Sequence, residues 1–131
     1  MGATTVSQYR IGELASRVKL TERTIRYYEE LGLLESVKRL DGGTRVYTDD
    51  DVRRLKYIRK LKTLGLSLQE MLELENLYRR QRSNRNVLPR LMELLDAHLG
   101  TIDARIAELR GLRDEIRSYR EHVEERLREE A

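Results

Sequence analysis

In the stretch from Thr21 to Leu34, TERTIRYYEELGLL, two arginines, two threonines and two adjacent tyrosines share one short segment. Arginine carries a permanent charge and a planar fork of donors that matches phosphate oxygens or the edge of a guanine. Threonine and tyrosine hydroxyls offer neutral donors to the same acceptors. Such a set suits binding of a polyanion. Elsewhere the chain has no Gly-rich phosphate loop, no Ser/His/Asp set, no metal-ligand spacing and no cysteine, so an enzyme is not expected and neither is a cofactor. His98 and His122 lack cysteine or clustered carboxylate company and are assigned no metal site. The acids Asp49, Asp50 and Asp51 are explained by helix capping, without paired carboxylate chemistry.

The elements that must position these side chains can be read from periodicity. Ile11, Leu14, Ala15 and Val18 recur at helical spacing, so IGELASRV forms one face of a short helix. After a break at Lys19 and Leu20, Thr21 is an N-cap, Glu22 lies in the first turn, and Gly32 ends the second helix. Two short helices joined by a tight turn make a helix-turn-helix, whose second helix enters the major groove by its first turns. Thr21, Arg23, Thr24 and Tyr27 then face DNA, with Arg26 on the flank within reach of phosphate. Ile25 and Tyr28 form the inward pair, which leaves Tyr27 to lie along the sugar-phosphate backbone.

In SVKRLDGGTRVYT, Asp41-Gly42 between β-compatible runs predicts a hairpin, a wing whose cations are Lys38, Arg39 and Arg45. Thr48 caps a third helix that turns Val52, Leu55, Ile58 and Leu61 inward and Lys56, Arg59, Lys60 and Lys62 outward, ending near Gly65. Ser67-x-x-Glu70 is a capping box that opens a fourth helix through Leu68, Met71, Leu72 and Tyr78. The polar run RRQRSNRN, residues 79–86, predicts a linker. A long helix follows, residues 87–128, with Pro89 in its first turn. Leu95, Leu99, Ile102, Ile106, Leu109, Leu112 and Ile116 recur every three or four residues, the stripe of a coiled coil. About 40 residues at 1.5 Å each make a rod of about 60 Å. Its apolar stripe cannot be buried by a lone helix in water, so the chain is expected to self-associate.

Charge follows the same division. Through Lys62 there are 14 Lys/Arg against 9 Asp/Glu, and from Thr63 onward 12 against 14. A basic head on a nearly neutral scaffold fits a polyanion partner. The N-terminal MGATTVSQ has no apolar run for a signal peptide, and no segment approaches the roughly 18 apolar residues of a membrane span. The expected place is the cytoplasm, in association with the nucleoid.

The order of these motifs resembles the MerR family of bacterial transcription regulators. IGELA, TIRYYEELGLL, GGTRVY and YIRKLKTLGLSLQEM carry the resemblance, from Tyr9 to about Tyr78, and the long helix matches in outline. The fold it implies is mainly all-α. A winged helix-turn-helix head with a short β-hairpin wing spans residues 9–78, and a long C-terminal helix forms an antiparallel coiled coil in a homodimer. The implied function is to bind a palindromic operator in double-stranded promoter DNA and to bend and untwist its centre for RNA polymerase. By similarity, Arg26 and Tyr27 correspond to backbone and groove contacts, Arg45 and Tyr47 match the Arg-x-Tyr of the wing, and Lys60 lies where the third helix approaches phosphate. Family members that sense metals or superoxide use cysteines, which this chain lacks. Only Arg128, Glu129, Glu130 and Ala131 follow Leu127, so the drug-binding module found after the coiled coil in other members is not expected.

An effector, where there is one, is expected within the head, the linker or the start of the long helix. Tyr57, Met71, Tyr78 and Met92 are candidate pocket residues, against the alternative that they simply pack between elements. Two other functions stay open: an architectural DNA binder without an effector, and an interaction scaffold that docks a partner protein on the long helix.

Overall fold

The computed structural model describes residues 8–35, 40–41 and 44–130. The chain divides into two units, Met1–Leu91 and Met92–Ala131. In order, the elements are β1 (Gln8–Tyr9), α1 (Ile11–Val18), α2 (Glu22–Leu31), β2 (Leu40–Asp41), β3 (Thr44–Arg45), β4 (Tyr47–Thr48), α3 (Asp49–Thr63), α4 (Leu68–Gln81) and α5 (Val87–Glu130).

Local chemistry sets most helix ends. Lys19 closes α1 in the left-handed region at φ 57°. The Thr21 hydroxyl then accepts from the Thr24 backbone N–H at 3.1 Å and caps α2. Gly32, at φ 84°, ends α2 as glycine can without strain. At α3 the Thr48 backbone N–H donates to the Asp51 carboxylate at 2.8 Å. At α4 the Ser67 hydroxyl accepts from the Glu70 backbone N–H at 3.1 Å and the Glu70 carboxylate accepts from the Ser67 backbone N–H at 2.8 Å, a capping box.

In the first unit α1 packs on α2 and α3, and α3 packs in turn on β4 and α4. The core contains Leu14 and Val18 of α1, Ile25 and Tyr28 of α2, Leu55, Ile58 and Leu61 of α3, and Met71 and Leu74 of α4. Each such side chain contributes on the order of 1.5–3 kcal/mol through burial. Two small antiparallel ladders complete the head. Tyr9 pairs with Tyr47 in one, and in the other Leu40 and Asp41 pair with Arg45 and Thr44. The second ladder is the expected wing. Its cations Lys38 and Arg39, and the Gly42-Gly43 pair, lie outside the described residues.

The expected linker is shorter than the polar run suggests. α4 continues through Arg79, Arg80 and Gln81 to a left-handed Arg82, which leaves only Arg82–Asn86 as the connection. Polarity there marks a helix surface: Arg79 donates to Glu75, one turn earlier, at 3.0 Å. In the second unit α5 is one continuous helix. Leu99, Ile102, Ile106, Leu109, Leu112 and Ile116 are all at least 40% exposed along it, and Leu95 is half-buried.

At Gly32 an added Cβ would stand 3.8 Å from Arg79 Nη1, an ordinary contact, so only the backbone conformation resists a side chain. Gly32→Ala should therefore lower the free energy of unfolding by about 1 kcal/mol. A urea midpoint equal to that of the parent protein would show that α2 can end in another conformation.

Candidate nucleic-acid interface

Helix α2 has two chemically opposite faces. Ile25, Tyr28 and Glu29 point into the head, at 0%, 4% and 7% exposure. Thr21, Arg23, Arg26 and Tyr27 are exposed and Thr24 is half-buried. The adjacent tyrosines thus part as their spacing requires: Tyr28 is core, whereas Tyr27 is 49% exposed, with their ring centroids 6.3 Å apart. Arg26 lies 3.6 Å from Glu22, and both are exposed. Such a pair is worth about 0–1 kcal/mol and yields readily to a phosphate. The Thr21 and Thr24 hydroxyls are 2.8 Å apart at the start of the helix.

The inward face contains a residue that the sequence reading passes over. The Glu29 carboxylate has only 3% side-chain exposure, yet it receives the Tyr47 hydroxyl at 2.6 Å and Arg45 Nη1 at 3.0 Å. Arg45 remains 56% exposed, so one side of its guanidinium is held while the rest faces solvent. A signal was present: Glu29 stands one turn after Ile25, and an acid on an apolar face calls for a buried partner.

The same bonds place Tyr47 in the core. Its ring is 1% exposed, within the core, and its hydroxyl is engaged by Glu29. Burial, reinforced by the adjacent carboxylate, pushes the phenol well above its ordinary range, so it stays a donor to Glu29. Its hydroxyl ties β4 to α2, beside the Arg45 that β3 brings to the same carboxylate. Lys60 is exposed in the last turn of α3, beside the exposed Lys62. Lys38, the remaining wing contact expected, lies outside the described residues.

Tyr57, Met71 and Tyr78 are brought together. They line one cavity of about 470 Å³ in the first unit, with Leu33, Leu34 and Leu74 among its apolar lining. Met92 is not part of that lining; it is 64% exposed on α5. Among the described residues no group of three or more His, Asp or Glu is placed to hold a metal ion. No described helix is long and apolar enough to cross a membrane.

Residues 9–76 match the family model described as MerR HTH family regulatory protein, and residues 52–119 match the one described as MerR, DNA binding. The chain belongs to the MerR family. It is 39% identical over 104 residues to the HTH-type transcriptional regulator ZntR of Escherichia coli (strain K12), covering 79% of this chain and 72% of ZntR. It is 33% identical over 129 residues to the HTH-type transcriptional regulator YfmP of Bacillus subtilis (strain 168), covering 88% and 92%. Among solved structures it is similar to HiNmlR, a MerR family regulator lacking the sensor domain, bound to promoter DNA. That likeness has a TM-score of 0.61 at 27% identity and covers 82% of this chain and 80% of the other. As a MerR-family protein the chain is a DNA-binding transcriptional regulator and not an enzyme.

The Glu29 bonds carry a stability consequence. Tyr47→Phe keeps the ring but leaves a buried carboxylate with one partner fewer, and should cost about 1–3 kcal/mol. An unchanged thermal melt would show that the hydroxyl is not part of the core network.

Proposed function

We propose that this MerR-family regulator binds promoter DNA as a homodimer, each head reading half of a palindromic operator. The observation that carries the reading is the outward face of α2. Arg23, Arg26 and Tyr27 are exposed there, on a helix fixed to the wing through Glu29 and Arg45. The first turns of such a helix enter the major groove, with Arg23 at a base edge and Tyr27 along the backbone. Arg26, Arg45, Lys38 and Lys60 serve phosphates, which position the protein without reading sequence. HiNmlR, solved on promoter DNA, supports this assignment by likeness.

The exposed stripe of α5 supports the dimer. Apolar side chains from Leu99 to Ile116 stand in solvent along one helix, more than an isolated soluble chain leaves uncovered. An antiparallel coiled coil over residues 87–128 buries them, with the heads at residues 9–78. Two heads on one rod bend and untwist the operator centre, and the deformed promoter is then presented to RNA polymerase. A small effector that needs no thiol ligand sets the balance between states.

A footprint on the promoters of the gene itself and its neighbours should show an inverted repeat with enhanced cleavage at its centre. Binding equal on all sequences would sink the operator reading and leave an architectural binder. No protection by a folded dimer would favour the scaffold. Arg45→Ala should weaken binding on every sequence and reduce the salt slope by about one phosphate contact. Arg23→Ala should relax sequence preference, and uniform weakening would demote it to a phosphate contact. Leu109→Glu with Ile116→Glu should yield monomers by sedimentation; a persistent dimer would place the interface elsewhere.

A further inference from the structure

The cavity of the head has an apolar floor and an ionic wall. Leu33, Leu34, Leu61, Met71 and Leu74 form the floor, each no more than 4% exposed, and Tyr57 and Tyr78 stand beside them. At about 470 Å³ it falls within the range of small-molecule sites, roughly 300–1,000 Å³. Burial raises the Tyr57 phenol above its ordinary range, so its ring belongs to the apolar lining at neutral pH.

The wall is a chain of ion pairs. Arg54 meets Glu75 at 2.9 Å, Arg79 meets Glu75 at 3.0 Å and Glu35 at 3.9 Å, and Arg82 meets Glu35 at 2.7 Å. Glu35, Arg54, Glu75 and Arg82 line the cavity, and Arg79 joins them in the network. Over the whole lining, with Arg79, the charges balance, since Arg53 pairs with Asp50 and Asp51 keeps its charge while accepting from Thr48 at the cap of α3. Within the ion-pair chain, where three guanidinium groups meet two carboxylates, the excess is one of donors. Arg79 Nη2 is buried with no hydrogen-bond partner among the described residues.

We propose that this cavity binds a small amphipathic carboxylate and that the ligand's head group competes with Glu35 for Arg82. The hydrocarbon body lies on the leucines, Met71 and the tyrosines. The carboxylate reaches Arg82, whose side chain is 61% exposed at its pair with Glu35. An amphipathic cation is disfavoured, because Glu35, Glu75 and Asp50 already hold guanidinium groups and the Asp51 carboxylate is engaged by Thr48 at the cap of α3. Glu35 follows the end of α2, and Arg82 caps α4. Occupation of the cavity therefore loosens a tie between the recognition helix and the connection to α5. This second half rests on the DNA-binding reading above; the binding site does not.

The test is calorimetry of the full chain with decanoate, decanol and decylammonium, each below its micelle concentration. Decanoate should bind saturably and about tenfold tighter than either relative, as one charge-assisted hydrogen bond allows. Arg82→Gln should remove that advantage and leave decanol unaffected. Leu88→Trp, at an exposed lining position, should weaken decanoate binding without disturbing the melt. Equal binding of the three compounds, an advantage that survives Arg82→Gln, or no binding because a second copy covers the cavity would each overturn the site. Repeating the footprint with decanoate separates the two readings. Operator protection that saturating decanoate leaves unchanged overturns the coupling alone. Decanoate binding by a protein that protects no operator leaves the site standing and removes the DNA reading.

Discussion

The buried carboxylate of Glu29 is the constraint on which the interface depends. An unpaired carboxylate at this depth would cost several kcal/mol, and its two partners lie 16 and 18 residues further along the chain. Neither partner is optional. Arg45 offsets the charge and the Tyr47 hydroxyl takes the second oxygen, so the strand segment cannot leave α2 without exposing the deficit. A wing made of two-residue strands has too few ladder bonds to hold itself in register. Its place against the recognition helix is set by one acid on that helix.

The same logic recurs at Tyr9. The chain has seven tyrosines and neither phenylalanine nor tryptophan, so each large aromatic in the core brings a hydroxyl with it. Tyr9, 8% exposed, donates to Asp49 at 2.6 Å and lies under the Arg17 guanidinium, 4.4 Å from its ring centre. Tyr47 donates to Glu29. The first bond ties β1 to the start of α3 and the second ties β4 to α2, so the polar tips of core residues align the elements that the apolar rings merely hold together. Phenylalanine would fill the same volume with no such preference for direction.

This explains which features were legible in the sequence. Caps and stops were, because Thr21, Gly32, Ser67 and Glu70 act within one turn of their own position. Helical faces were also legible: Ile25 and Tyr28 of α2, and Leu55, Ile58 and Leu61 of α3, were assigned inward from their spacing and are buried. The partners of Glu29 and the role of Tyr47 were not, since both exist only when distant segments meet. Val46 and Tyr47 are both buried, so the strand breaks the alternation that would have assigned Tyr47 a side. The run at Arg79 misled for a related reason. Its charges decorate a helix held by Glu75, and composition alone does not separate a solvated helical turn from a linker.

Two contacts of unequal worth hold the connection between α4 and the first turn of α5. Arg90, in the first turns of α5, makes two hydrogen bonds to Glu73 of α4, and its proximity holds the Glu73 carboxyl below the usual range. Both side chains are more than a third exposed, so the pair contributes no more than about 1 kcal/mol. Val87 is only 5% exposed, and its burial contributes about 1.5–3 kcal/mol at the first residue of α5. The apolar anchor therefore outweighs the ion pair. It holds the first turn of α5 at any ionic strength, while salt weakens the charged contact.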